Sequence, residues 1–385
     1  MQQWFALTGR ETILSQAELL RFVDDLAINF YRDIAISSAP QPNWQHLGGI
    51  LRAGTIIAEL PSRDLAAIAS QIASSIPPAT GKVRLGISWP HGSTQTLKKL
   101  AMTVKRLYRD STKQNLRLVL PSTAPCLNSA HILHNQLLQT PHAEIIIIEA
   151  GSRILIGRTD WCQDIDDYTK RDRGRPMRDA RVGMLPPKLA QMMINLSGAE
   201  PGTWLHDPFC GTGVILQEAL LMGYQVSGSD IAPDLLKATK SNLAWLQTTY
   251  RGIDSPSALT VQDATKLTLP PGNLTIVAEG YLGNPHLDPA QTDVIKREAQ
   301  MLNALYTKFF THLAQTRKDK LVILIALPHW FTKSGQTIEL PLLDEIGKIG
   351  YTSEQFAPAG HTVLHYRREH QLVGRSIIKL TKENK

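Results

Sequence analysis

Apolar positions along the chain fall into two rhythms. Runs such as "QWFALTG", "KVRLGISW", "AEIIIIEAG" and "KLVILIALP" are continuous or nearly so and close on glycine, proline or a charge, which predicts strands. Between them lie segments with apolar residues at helical spacing, among them "ETILSQAELLRFV", "STQTLKKLAMTVKRLYRDS" and "SRDLAAIASQIASSI", the last with Ser62 as its expected cap. Residues 1–60 and 61–157 each mix the two as α+β units, and 158–185, with little periodicity, reads as a basic linker. From Pro186 onward the alternation becomes regular. "PPKLAQMMINLSG" opens on proline, spaces Leu189, Met192, Met193 and Leu196 along one face and stops at Gly198. Strands and helices then follow in turn, including a long helix over about 289–315, to a closing hairpin at "TVLHYRREHQLVGRSIIKL". Near-continuous apolar strands separated by helices predict an α/β domain over 186–385, a Rossmann-like parallel sheet covered on both faces.

Composition narrows the class. Across 385 residues, 43% hydrophobic and 19% charged content is that of a soluble globular protein, and the longest apolar runs fall well short of the roughly 20 residues of a membrane-spanning helix. Cys126, Cys162 and Cys210 are few, odd in number and form no CxxC, which argues against a disulfide framework or a metal site and for a reducing, cytoplasmic setting. The N-terminus lacks the basic and apolar succession of a secretory signal. A formal charge of +7 leans toward a polyanionic partner. The basic residues gather in two places. Lys98, Lys99, Lys105, Arg106 and Arg109 share one expected helix. Lys170, Arg171, Arg173, Arg175, Arg178 and Arg181 stand in the linker against only Asp172 and Asp179. Each cluster is either a solvated face or an RNA-phosphate surface.

The chemistry-bearing block is "HDPFCGTGVILQEALLMGYQVSGSD". A strand runs through Gly211 and Gly213 into a helix, and the next strand ends on Asp230, an arrangement that brings backbone close to a nucleoside and sets a carboxylate against its ribose hydroxyls. A dinucleotide fingerprint requires a third glycine where Leu216 stands. Asp207, just before the turn, suits the ammonium of an amino-acid moiety better than a pyrophosphate. An adenosine joined to an amino acid without phosphate is S-adenosylmethionine. Asp263, in "VQDA", then stands ready to accept from the adenine amino group, with the Ala264 backbone beside it. Cys210 and His206 read as packing residues of this block. His329 and Trp330, in "ALPHWF", are either core or in reach of a substrate.

"DPFCGTGVILQEA" resembles the first motif of class I amino-methyltransferases. "FALTGRETILSQAELL", "LGGILRAG", "RDRGRPMRDARVGMLPPKLAQMMINLSG" and "HYRREHQLVGRSIIKL" resemble one family, the tRNA guanine 2-amino methyltransferases with an N-terminal THUMP module. The resemblance implies a ferredoxin-like unit over 1–60 and a THUMP-like RNA-binding domain over 61–157. It assigns Asp207, Gly211 and Gly213 to the methionine side of the cofactor, Asp230 and Ile231 to its ribose and adenine face, and Asp263 to the adenine amino group. The basic linker, with Arg171, Arg173, Arg175 and Arg178, would lie against tRNA.

The family's fourth strand ends in Asp/Asn-Pro-Pro-Tyr/Phe, where this chain has "LTIVAEGYLGNP". The resemblance makes Glu279 the acid that polarises the target amino group, the Gly280 carbonyl its second acceptor and Tyr281 the ring that stacks on a flipped base. The carboxylate is one methylene longer than aspartate and both prolines are absent. Two other readings stay open here: a protein that binds RNA and cofactor without transfer, and a methyltransferase acting on another RNA position, DNA adenine or a protein amide.

Overall fold

The computed structural model describes residues 2–121, 124–178, 184–256, 258–284, 287–358, 360–368 and 371–383. Asp179, Arg181 and Pro285 lie outside the described residues. The chain divides into two compact units. One comprises Met1–Gln16, Phe22–Gln45 and Gly49–Asp167, and the other Ala17–Arg21, His46–Gly48 and Tyr168–Lys385.

The first unit is built on strands β1 (Trp4–Thr8), β2 (Ile28–Tyr31), β3 (Ile34–Ser37), β4 (Ile50–Leu60), β5 (Val83–Ser88), β6 (Leu116–Val119), β7 (Ala143–Ala150) and β8 (Arg153–Cys162). Its helices are α1 (Thr12–Leu19), α2 (Leu65–Ser75), α3 (Thr94–Thr112) and α4 (Ser129–His134). The strands form one eight-stranded sheet in the order β2-β3-β1-β4-β8-β7-β5-β6. The run "IIII" shows why it holds together. Ile145 and Ile147 join the core under α2 and α3, while Ile146 and Ile148 pack with Phe5 and Ile34 on the opposite face. Helix α3 buries Leu97, Leu100, Ala101, Val104 and Tyr108 and leaves Lys98, Lys99, Arg106 and Arg109 in solvent. The α2 cap is Asp64, whose side chain accepts from the Ala66 N–H, and not Ser62.

Two expected boundaries look different in the structure. β4 pairs with β8 across the division at residue 60, so 1–60 and 61–157 share a single sheet. The segment read as a linker begins inside β8 and contains a helix, α5 (Ile165–Arg173). That helix is polar overall and so shows little apolar periodicity, yet it carries Asp166 and Asp167 in its first turn and Lys170, Arg171 and Arg173 in its last, complementing the helix dipole.

The second unit continues with α6 (Pro187–Ser197), β9 (Trp204–Asp207), α7 (Val214–Leu221), β10 (Gln225–Asp230), α8 (Pro233–Thr249), β11 (Ala258–Val261) and β12 (Leu274–Glu279). Then come α9 (Thr292–Thr316), β13 (Leu321–Phe331), β14 (Thr337–Ile338), α10 (Leu342–Ile349), β15 (Thr352–Ser353), β16 (Val363–Tyr366) and β17 (Val373–Lys382). Helix α6 ends as its sequence predicts, on Gly198 at φ +77°. The sheet runs β11-β10-β9-β12-β13-β17-β15, with β14 on β13 and β16 on β17. Strands β9 to β13 are parallel, and β17 enters antiparallel beside β13 with β16 as its hairpin partner. The chain steps outward from β9 to β10 and β11, then returns to the other side of β9 as β12. Such a reversal opens a crevice at the carboxyl ends of the strands, where α/β sheets bind ligands.

Candidate active site

The crevice between the ends of β9 and β12 holds a cavity of about 460 Å³. Asp207, Gly211, Asp230, Ile231, Asp263, Ala264, Glu279, Gly280 and Tyr281 all line it. Gly213 does not. It stands behind the cavity at the start of α7, at φ +84°, where a Cβ would lie 2.9 Å from Thr239 Cγ2.

The turn after β9 is held from α8. Thr239 Oγ1 donates to the Gly211 carbonyl at 2.7 Å, and Asn242 Nδ2 donates to the Thr212 carbonyl at 2.8 Å. The missing third glycine has a counterpart on the neighbouring strand. A Cβ on Gly228 of β10 would sit 2.7 Å from Leu216 Cδ1, so the close approach of α7 to the sheet is made by a bare strand position facing a large helix residue.

Each carboxylate has its own environment. Asp207 is 2% exposed and lines the cavity, and its Oδ1 accepts from the Phe209 N–H at 3.0 Å. Burial holds this carboxyl well above the usual carboxylate range, and the nearby Asp230 and Glu279 push the same way. Asp230 fixes the turn, accepting from the Gly211 N–H at Oδ2 and the Ala232 N–H at Oδ1, both at 2.9 Å. Asp263 caps the short turn Ala264–Lys266. Its bonds from the Thr265 hydroxyl and N–H hold its carboxyl below the ordinary value. Ile231 stays largely exposed on the cavity rim.

The end of β12 is pinned on every side. Arg375 Nε, from β17, donates to Glu279 Oε1 as an ion pair. The Gly280 N–H donates to the Ala326 carbonyl at 3.0 Å, continuing the ladder one residue beyond β12. Tyr306 of α9 lies against Gly280, where a Cβ would be 2.4 Å from its hydroxyl. Gly283 turns at φ +85°, and the Asn284 N–H donates to Glu298 at 2.9 Å. The Tyr281 side chain is half exposed at the cavity mouth. Burial raises the Glu279 carboxyl while Arg375, and beyond it Arg368, pull it back. The sequence reading missed Arg375, which stands in a closing strand that carries other polar residues and so gave no local signal.

Other expectations change. Arg171 and Arg175 are buried and offer no face to a polyanion: Arg171 pairs with Glu218 at 3.4 Å over the Tyr168 ring, and Arg175 Nη2 donates to Met184 Sδ at 3.1 Å. Arg173 and Arg178 are exposed. His329 and Trp330 lie inside β13 and are fully buried. His329 Nδ1 meets Ser376 Oγ at 2.8 Å, and burial pushes its pKa down to about 3. His206 is likewise a strand residue bonded to Ser227, and Cys210 is buried in the turn. Among the described residues no helix is long and apolar enough to cross a membrane, and no group of His, Cys, Asp and Glu could hold a metal ion.

Comparison with known proteins agrees with this architecture. Residues 175–336 match the family described as UPF0020, RMKL-like, methyltransferase domain. The tRNA (guanine(10)-N2)-dimethyltransferase of Pyrococcus abyssi is 37% identical over 142 residues, 35% of this chain and 40% of that protein. Its counterpart from Methanothermobacter thermautotrophicus is 52% identical over 61 residues, 16% of this chain and 18% of that protein. The aligned stretches thus span less than half the length of these relatives. In fold, the chain is similar to TrmN from Thermus thermophilus, with a TM-score of 0.56 and 16% identity over 99% of both chains. The C-terminal unit has a Rossmann-like α/β fold.

Proposed function

We propose, from the match of residues 175–336 to the RMKL-like methyltransferase domain family, that the chain is an S-adenosylmethionine-dependent enzyme that methylates an exocyclic purine amino group, guanine N2 in tRNA. One observation carries the reading: Asp207, Asp230, Asp263 and Glu279, from the carboxyl ends of neighbouring strands, border a single cavity.

The donor set fits the cofactor. Asp207 offers a carboxylate oxygen to an ammonium, Asp230 a carboxylate to a ribose diol, and Asp263 an acceptor to an adenine amino group whose ring would rest on Ile231. When bound, S-adenosylmethionine supplies a methyl group on a positively charged sulfur that departs as a neutral thioether.

The remaining work falls to the end of β12. A purine amino nitrogen is a poor nucleophile because its lone pair is delocalised into the ring. Glu279 Oε2 and the Gly280 carbonyl would accept its two N–H bonds, restoring lone-pair character, and Glu279 would take the proton released as the new N–C bond forms. The exposed Tyr281 ring would stack on the flipped base.

In this reading the N-terminal unit is the RNA-holding part, with the ferredoxin-like and THUMP-like pieces fused through β4 and β8. The basic face of α3, together with Arg173 and Arg178, would meet phosphates in the cytoplasm. The relatives' names make guanine 10 the first position to inspect.

The test is incubation of the full chain with methyl-labelled S-adenosylmethionine and unmodified tRNA, followed by nucleoside mass spectrometry. N2-methylated guanosine from wild type and none from Glu279→Ala supports the reading. Cofactor and tRNA binding without label, or label on another nucleoside, overturns it.

A further inference from the structure

Glu279 and Arg375 are not neighbours in the sheet. Glu279 on β12 pairs with Ala326 on β13, and Ala326 pairs with Ile377 on β17. Arg375 stands two residues from Ile377, opposite Pro328, on the same face. Its side chain therefore crosses β13 on the diagonal to reach Glu279, over a stretch where Ala326 carries only a methyl group. The crossing is buried, with Arg375 3% and Glu279 18% exposed in their side chains.

We propose that Arg375 is a positioning residue of the transfer reaction, holding the Glu279 carboxylate in the orientation that presents Oε2 to the target amino group. The proposal rests on the reading of Glu279 as the acceptor. Glutamate has one more rotatable bond than aspartate, so a free Glu279 would spread over several rotamers and lose much of its aim. A guanidinium bond to Oε1 selects one rotamer and leaves Oε2 for substrate.

The same contact governs charge. Facing Glu279 are Arg375 from β17, Arg368 from the β16–β17 hairpin, Asp207 from β9 and the Tyr306 phenol from α9. Burial and Asp207 favour the neutral acid, and the two arginines favour the carboxylate. Arg368 is exposed and screened, which makes Arg375 the principal counter-charge.

The test uses the full chain with unmodified tRNA and labelled S-adenosylmethionine, comparing wild type, Arg375→Gln, Arg375→Lys and Glu279→Ala across the acid limb of the pH–rate profile. Arg375→Gln should lower kcat by about 10²-fold, with cofactor affinity within about twofold. Its acid limb should move upward by roughly one unit or more as the counter-charge is lost. Arg375→Lys should return the limb toward its wild-type position and recover part of kcat. If Arg375→Gln keeps the wild-type kcat and limb while Glu279→Ala is inactive, Arg375 is packing only and the proposal falls, with the reading of Glu279 intact. If Glu279→Ala stays active, that reading falls and the proposal with it. Should Arg375→Gln fail to fold, Arg375→Lys decides: a lowered kcat with an unmoved limb supports positioning, and wild-type kinetics overturn it.

Discussion

The hydroxyl of Tyr306 donates to the carbonyl oxygen of Tyr281 at 2.7 Å, tying the loop after β12 to helix α9. The loop lacks the paired prolines of the motif it resembles, and a phenol from a different element supplies the restraint. Tyr306→Phe removes one buried hydrogen bond, worth about 1 kcal/mol, and should cut kcat roughly fivefold while barely changing cofactor affinity. Gly280→Ala should do more harm, because its Cβ would sit 2.4 Å from the Tyr306 hydroxyl. Pairing Gly280→Ala with Tyr306→Phe removes that oxygen and should recover part of the loss. Steady-state kinetics of the three variants check the argument.

Asp207 should make cofactor binding depend on pH. Burial favours its neutral form, whereas an ammonium beside it favours the anion. Binding should therefore release a proton, and affinity should fall by about tenfold per unit as pH drops below the raised pKa. Calorimetry in buffers of different ionisation enthalpy measures the proton directly. Asp207→Asn should bind weakly with no such slope.

Gly228 carries the close contact between α7 and the sheet. Gly228→Ala places a methyl 2.7 Å from Leu216 Cδ1 and 3.2 Å from the Cys210 Cβ, an overpacking expected to cost about 1–3 kcal/mol. The glycine turn should shift with it, so cofactor affinity should fall alongside the thermal midpoint. An unchanged midpoint would mean the helix yields freely.

The arginines near α5 should separate into two kinds. Arg171→Ala leaves Glu218 buried without its guanidinium and should cost about 3–5 kcal/mol of stability. Arg173→Ala and Arg178→Ala should leave the melting temperature in place and weaken tRNA binding, each reducing the salt slope by about one. Thermal melts and filter binding at several salt concentrations tell the kinds apart.

Much of the site was legible because its parts are local. The strand–turn–helix at Asp207–Gly213, the acids ending β10 and following β11, and the break at Glu279 each announce themselves within a few residues. What stayed hidden depends on contacts far apart in the chain. Leu216 looked like a broken fingerprint until Gly228 was seen beneath it, and Arg375 had no local reason to belong to Glu279. Arg171 and Arg175 misled for the opposite reason: a run of basic residues reads as surface, while α5 turns Arg171 inward and the bend after the helix buries Arg175. The pairing across the expected division at residue 60 was hidden because strand pairing ignores sequence distance, joining β4 to a strand about a hundred residues later.

The placement of β17 has a consequence for how the protein is made. This strand lies inside the sheet, against β13 on one side and β15 and β16 on the other, yet it is the last strand of the described chain to leave the ribosome. Until it inserts, β13 keeps an open edge and Glu279 lacks Arg375, its principal counter-charge. A nascent chain stopped before Val373 would already hold Asp207, Asp230 and Asp263, but neither a closed sheet nor the Arg375 bond to Glu279. Chemical competence thus waits on β17, and a chain truncated before Val373 is expected to be inert.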